Sequence, residues 1–133
     1  MTKTTDILLN NTSNTLEVTG EKVRAAGWYG SKSGDHTVQI SVANFEGRVG
    51  LEGSLAQDPK EDDWFPINLS GRNQWIEYPR EPGENETSTI ALTVRGNFLW
   101  LRGKMDRGNL DYEPVDQDDL NRLGTVTKML LVR

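Results

Sequence analysis

From Thr37 to Val42 the chain alternates without a break: Val38, Ile40 and Val42 are apolar, and Thr37, Gln39 and Ser41 between them are polar. Ile90, Leu92 and Val94 repeat the pattern against Thr89, Ala91, Thr93 and Arg95. Successive side chains of an extended backbone point to opposite faces, so this period belongs to strands with one buried and one wet face. A helix would bring its apolar residues back every three to four positions instead.

The rest of the chain reads the same way in shorter pieces. Ile7-Leu8-Leu9 opens a first strand, and Asn10–Asn14 is turn chemistry, short polar side chains that bond their own backbone. Leu16 and Val18 alternate with Glu17 and Thr19, Gly20 breaks the run, and Glu21–Tyr29 resumes an extended text. Gly30–Asp35 is a loop. Phe45 closes the alternating strand, Glu46-Gly47 makes a short turn, and Val49, Leu51 and Leu55 then share a face with Gly53. The two halves read as a hairpin, and the glycine marks a bulge or a close neighbour. Trp64–Leu69 and Gln74–Tyr78 are further strands, and Pro79–Glu86 is a polar loop whose two prolines forbid a central strand. Gly96-Asn97 is a tight turn into a core strand, Phe98 to Arg102 or beyond, apolar on both faces. Asp116–Gly124 forms one helical turn or two, capped by Asp116 and stopped by Gly124. Thr125–Val132 is a closing strand, with Val126, Leu130 and Val132 on one side and Met129 and Leu131 on the other.

Roughly eight to ten short strands, with turn signals about every eight to twelve residues, define an all-β, antiparallel two-sheet sandwich. A jelly-roll-like topology is expected because the last strand is apolar, uninterrupted and far in sequence from its partners, as a central strand is. The 133 residues fit a single β-sandwich domain, with residues 1–14 either an N-terminal arm or part of it.

Composition narrows the function classes. Hydrophobic residues make up only 35%, so the core is modest, and no cysteine is present to support it with a disulfide or a thiolate-bound metal. The lack of cysteine fits a reducing cytoplasm. The formal net charge of −5 argues against a nucleic-acid partner, which needs a basic face to release counterions. Basic residues are scattered, and the one mild cluster, Arg102 to Arg107, reads as a solvated strand end rather than a phosphate site. Ile7-Leu8-Leu9 is too short for a signal-peptide core or a membrane span.

Catalytic, metal and cofactor constellations do not assemble from these residues. His36 stands alone at the start of a strand and reads as surface. The acidic loops Asp58 to Asp63 and Asp116 to Asp119 read as solvated, and the second lacks the glycine and terminal glutamate of a helix-loop-helix calcium site. No carboxylate pair sits in an apolar pocket that would tune it for glycoside cleavage, and Ser54 lacks the second glycine of a nucleophile elbow. The sequons at Asn10, Asn11, Asn68 and Asn85 carry no weight without a secretory leader.

What stands out is aromatic. Trp28, Trp64, Trp75 and Trp100 occur in this small chain, with Tyr29, Phe65 and Tyr78 close to three of them. Aromatic rings fill sandwich cores, anchor interfaces and stack on sugars. Trp100 reads as core and Trp64 as core or interface. Trp75, beside polar Gln74 and a loop, is the best glycan-stacking or contact candidate, and Trp28, Tyr29 and Tyr78 join it as interface or glycan-stacking positions.

Taken in order, these pieces resemble small virion structural proteins of tailed bacteriophages, particularly the contractile-tailed phages of cyanobacteria. The resemblance is carried by Gly27-Trp28-Tyr29-Gly30, Gly34-Asp35-His36-Thr37-Val38, Asn44-Phe45-Glu46-Gly47-Arg48-Val49 and Glu52-Gly53-Ser54-Leu55-Ala56. It continues through Asp62-Asp63-Trp64-Phe65-Pro66-Ile67, Gly96-Asn97-Phe98-Leu99-Trp100-Leu101-Arg102 and the closing Gly124–Val132, and leaves 108–120 unmatched. It implies a non-enzymatic β-sandwich, assembled in the host cytoplasm and built into the virion. Its partners would be capsid, neck or tail subunits, in a homo-oligomer or symmetric array, with neither membrane nor nucleic acid as partner. The alternative is a carbohydrate-binding module that contacts host surface glycans.

Overall fold

The computed structural model describes residues 5–30, 34–69, 73–80, 85–110, 114 and 116–133. Among these residues ten strands, one short α-helix and one 3-10 turn follow in order: β1 (Thr5–Asn10), β2 (Glu17–Thr19), β3 (Val23–Arg24), β4 (Asp35–Phe45), β5 (Gly47–Ser54), the 3-10 turn (Glu61–Asp63), β6 (Phe65–Ile67), β7 (Trp75–Tyr78), β8 (Glu86–Arg95), β9 (Trp100–Asp106), α1 (Gln117–Asn121) and β10 (Thr125–Val132). All pairings are antiparallel and make two sheets. Sheet I runs β1-β10-β4-β8; in sheet II, β9 and β5 are central, with β2 and β3 along one side and β6 and β7 along the other.

The pairing is nested. β1 pairs with β10, β2 and β3 with β9, β4 with β8, and β5 with β6 and β7. These are the pairings of one long hairpin, and rolling that hairpin over itself creates the remaining contacts, β10 on β4 and β9 on β5. The result is a two-sheet jelly roll. β10 is a central strand, as its unbroken apolar text implied.

Rolling turns an expected hairpin and an expected tight turn into corners. Phe45-Glu46-Gly47 and Gly96–Leu99 do not reverse the chain within a sheet; each carries it from sheet I to sheet II, β4 to β5 and β8 to β9. Asn44, in the left-handed region at φ 48°, helps turn the first corner, and the Glu46 N–H donates to the Leu123 carbonyl at 2.9 Å. Phe45 is thereby swung into the core, edge-on to Tyr78. The strand after Gly96-Asn97 starts at Trp100, not Phe98.

The core is filled by the alternation that the sequence displays. Val38, Ile40 and Val42 face inward with Val49 and Leu51, Leu101 and Met105, and Val126, Met129 and Leu131. Val126 joins Met129 on the inner face because a bulge between Val126 and Lys128 shifts the register and inverts the side-chain parity. Leu55, expected on the Val49 face, lies beyond the end of β5 and is exposed. Gly53 has close neighbours, the Phe98 ring and Ile67. Gly27-Trp28-Tyr29 is not extended but winds through successive turns, Trp28 N–H to Ala25 O and Tyr29 N–H to Ala26 O. Residues 5–10 form a strand of sheet I and Thr12 is buried, so these residues are sandwich rather than arm.

Asp116 caps α1 through a bond from the Asp119 N–H at 2.9 Å, and Gly124 ends the segment at φ +66°. Nothing but glycine fits there: a Cβ would lie 2.2 Å from the Asn44 carbonyl oxygen.

Candidate functional site

Sheet II turns a distinctive face outward. Leu101, Gly103 and Met105 of β9 point into the core, so Trp100, Arg102, Lys104 and Asp106 point out. Val49 and Leu51 of β5 point in, so Arg48, Gly50 and Glu52 point out. The register sets Arg48 opposite Asp106 and Glu52 opposite Arg102. Arg48 is paired with Asp106 through two nitrogens, and Arg102 donates to Glu52 at 2.8 Å and to Glu61 at 3.0 Å. The hydrogen bond from Arg102 holds the exposed Glu61 carboxyl below the usual carboxylate range.

All four tryptophans are associated with this face, and none is among the buried core residues. Each lies under a cation. The Arg102 guanidinium sits 4.2 Å from the Trp64 ring centroid, Arg48 4.4 Å from Trp75, Lys22 4.6 Å from Trp100 and Arg24 5.0 Å from Trp28. Trp28 and Trp100 also touch each other, centroids 5.0 Å apart, and the Trp100 indole N–H donates to the Gln57 carbonyl. Trp75 lies over Gly50, where a Cβ would come within 2.8 Å of its ring; the glycine lets the indole approach the sheet. Beside Trp75 opens a cleft of about 650 Å³, lined by Asn68, Asn73, Gln74, Glu77 and Arg80. Aromatic rings and arginine are the residue types enriched where proteins meet.

The four aromatic candidates from the sequence separate. Trp28, 39% exposed, belongs to this face through Trp100 and Arg24. Tyr29, on the same turn, is 56% exposed but packs at the end of sheet I, where Arg133 lies over its ring and donates to its hydroxyl at 2.9 Å. Trp75 is half-buried beside the cleft, across β5 from the Trp28–Trp100 pair. Tyr78 is no contact residue: it points inward from β7, 1% exposed, and burial pushes its hydroxyl pKa up to about 12. Tyr78 differs from Trp75 by an odd number of residues, so the period of two already assigns them opposite faces.

Trp100 is likewise corrected. It stands on the outer face with Arg102 and Lys104, at the same parity, and does not enter the core. The tryptophan–arginine pairs had no signature in the sequence, because Trp64 and Arg102 are brought together only by pairing across β5.

Two further readings change. His36 is fully buried: its Nε2 accepts from the Ala26 N–H at 3.0 Å, which leaves the proton on Nδ1 to donate to the Val94 carbonyl at 3.2 Å. Burial lowers its pKa below the ordinary value. Arg102 and Arg107 are no solvated strand end, since both are buried. The acidic loops are put to local use: Asp63 accepts from the Lys60 N–H at 2.8 Å, and Asp116 caps α1.

No protein-family model matches the chain, and neither a curated protein nor a solved structure matches it significantly.

Proposed function

We propose that this jelly roll is a non-catalytic docking module of a tailed-phage particle, held against other virion subunits by the outer face of sheet II. The observation that carries the proposal is the disposition of tryptophan. A small protein that is short of hydrophobic residues nevertheless keeps all four tryptophans out of its buried core, Trp28 exposed and the other three half-buried, each paired with a cation. Tryptophan and arginine dominate the residues whose loss weakens protein interfaces most. The sequence resemblance supplies the particle, and the two-layer scaffold supplies a stiff base for such a face. Jelly rolls also serve in lectins, so the fold alone does not choose between partners.

Purified particles provide the test. The protein is expected in them at a fixed stoichiometry, and Trp28→Ala with Trp100→Ala is expected to deplete it from particles while the isolated variant keeps its strand-type circular dichroism. Recovery only from infected-cell lysate, never from particles, overturns the proposal.

A second reading, glycan binding, is favoured by the cleft alone. Trp75 offers an aromatic platform, and Asn68, Asn73, Gln74, Glu77 and Arg80 offer the donors and acceptors that orient sugar hydroxyls. Binding to host-surface glycans that is lost in Trp75→Ala supports it; an array without binding removes it.

A further inference from the structure

We propose that the free edge of β8 pairs antiparallel with β8 of a second copy, joining the two four-stranded sheets I into one continuous sheet. This concerns self-association and stands apart from which particle the protein joins.

Sheet edges are normally blocked against such pairing by charge, proline, bulges or brevity. Three of the four edges here are blocked. β1 carries Asp6 and a register shift between Ile7 and Leu9. β2 and β3 are two short pieces separated at Gly20, and β6 and β7 are two short pieces, the first containing Pro66. β8 has no such block. It is 10 residues long, and from Thr87 to Val94 it contains no charge, no proline and no glycine. Among the described residues it pairs only with β4.

The polarity of the backbone follows from one bond. The Gly96 N–H donates to the Gly34 carbonyl at 3.0 Å, and these two residues continue the β4–β8 register in which Arg95 faces Asp35. Hydrogen-bonded pairs alternate along an antiparallel ladder. The even-numbered residues Ser88 to Val94 therefore direct N–H and C=O toward β4, and Thr87, Thr89, Ala91 and Thr93 direct theirs out of the edge. On the inner face, Ile90 and Leu92 are left partly buried where sheet I ends.

The strand is its own complement. Centred on Ala91, antiparallel pairing sets Ile90 opposite Leu92 of the other copy and Leu92 opposite its Ile90, covering both half-exposed side chains. On the outer face Thr89 meets Thr93, a favourable cross-strand pair. No like charges meet: Arg95, bound to Asp35 at 2.7 Å, comes opposite Thr87. For a chain of net charge −5, an edge without acidic residues over this length is where two copies can approach without opposing charges. A two-fold contact of this kind uses the same patch twice and closes at the dimer.

The chain has no cysteine, so one introduced thiol reports the register cleanly. Sedimentation of the full chain at about 100 µM should give twice the 14.9 kDa of one copy, dissociating on dilution. Ala91→Cys should cross-link to itself under mild oxidation, whereas Thr93→Cys, opposite Thr89, should not. Ala91→Pro removes an N–H that the monomer does not use and is tolerated at an edge; it should stay folded by circular dichroism and sediment as one copy. A wild-type chain that sediments as a monomer at this concentration, or an Ala91→Pro dimer, overturns the proposal. So does Thr93→Cys cross-linking as readily as Ala91→Cys. Loss of the dimer in a protein that still enters particles separates this edge from the tryptophan face.

Discussion

Arg107 is the residue on which one end of the sandwich converges. Only 5% exposed, it donates from Nε to the Thr15 carbonyl at 2.7 Å, from Nη1 to Glu46 and Leu123 at 2.6 and 2.9 Å, and from Nη2 to Gly124 at 3.0 Å. Three loops that lie far apart in the chain are thus tied by one planar fork. Arg107→Met should cost about 3–5 kcal/mol in chemical denaturation, because the buried carbonyl of Leu123 and the part-buried carbonyls of Thr15, Glu46 and Gly124 lose their shared donor at once; Arg107→Lys should recover little, since an ammonium cannot span the same set. His36 makes the pH dependence at this scale. Its folded pKa lies below the ordinary 6.5, first through burial, with the bond to Val94 opposing; of the nearest charges, Arg133 lowers it and Asp35 raises it. A depressed base binds its proton more readily in the unfolded chain. Stability is therefore full above about pH 6.5 and falls as the pH drops toward the folded value, because an imidazolium Nε2–H would confront the Ala26 N–H. The urea midpoint should fall between about pH 7.5 and pH 5.5, and the slope should flatten in His36→Gln, which can keep one acceptor and one donor. An unchanged slope would remove His36 as the cause. Parity alone could have located His36, which is in phase with Val38 and Ile40. Nothing in the sequence could have located Arg107, since its partners are backbone carbonyls supplied by the rolled topology.

At the scale of elements, period-two reasoning succeeds wherever a strand is regular. β4 buries Val38, Ile40 and Val42 and leaves Thr37 exposed. Ile40→Ala should therefore cost about 2–5 kcal/mol through the cavity it leaves. Leu92→Ala, on the edge strand and only partly buried, should cost about half of that, and Thr37→Ala under about 0.5 kcal/mol. Equal losses at Ile40 and Thr37, measured by denaturation, would contradict the facing. Ser41 is an exception on the wet face: it is buried, with its hydroxyl 3.1 Å from that of Thr89 on β8. The reasoning fails at bulges, as at Val126, because one extra residue inverts the parity of everything beyond it. It fails also at Glu46 and at Gly96-Asn97. A short polar link between two alternating strands suits a hairpin and a sheet-to-sheet corner equally well, and only the packing of the flanking strands distinguishes them.

For the whole molecule, the nested pairing makes the two chain ends interdependent. β10 lies between β1 and β4, so removing residues 125–133 takes out the centre of sheet I and strands β1 at the same time. A chain ending at Gly124 should show no cooperative thermal transition by circular dichroism. A chain whose strand pairs are so distant should also fold slowly for its size. The sequence by itself determined strands rather than helices, the inward partners of each regular strand, the central place of Thr125–Val132 and the capped turn at Asp116. These are local properties: the side-chain period, the turn residues and the caps are written in consecutive residues. Only the tertiary structure decided that the links at Glu46 and at Gly96-Asn97 are corners between sheets, that Arg107 ties three loops from inside, and that the tryptophans stand outside the core under arginine and lysine. Those outcomes depend on which strands become neighbours when the long hairpin rolls, and that choice is made by the summed burial of the whole core rather than by any one segment.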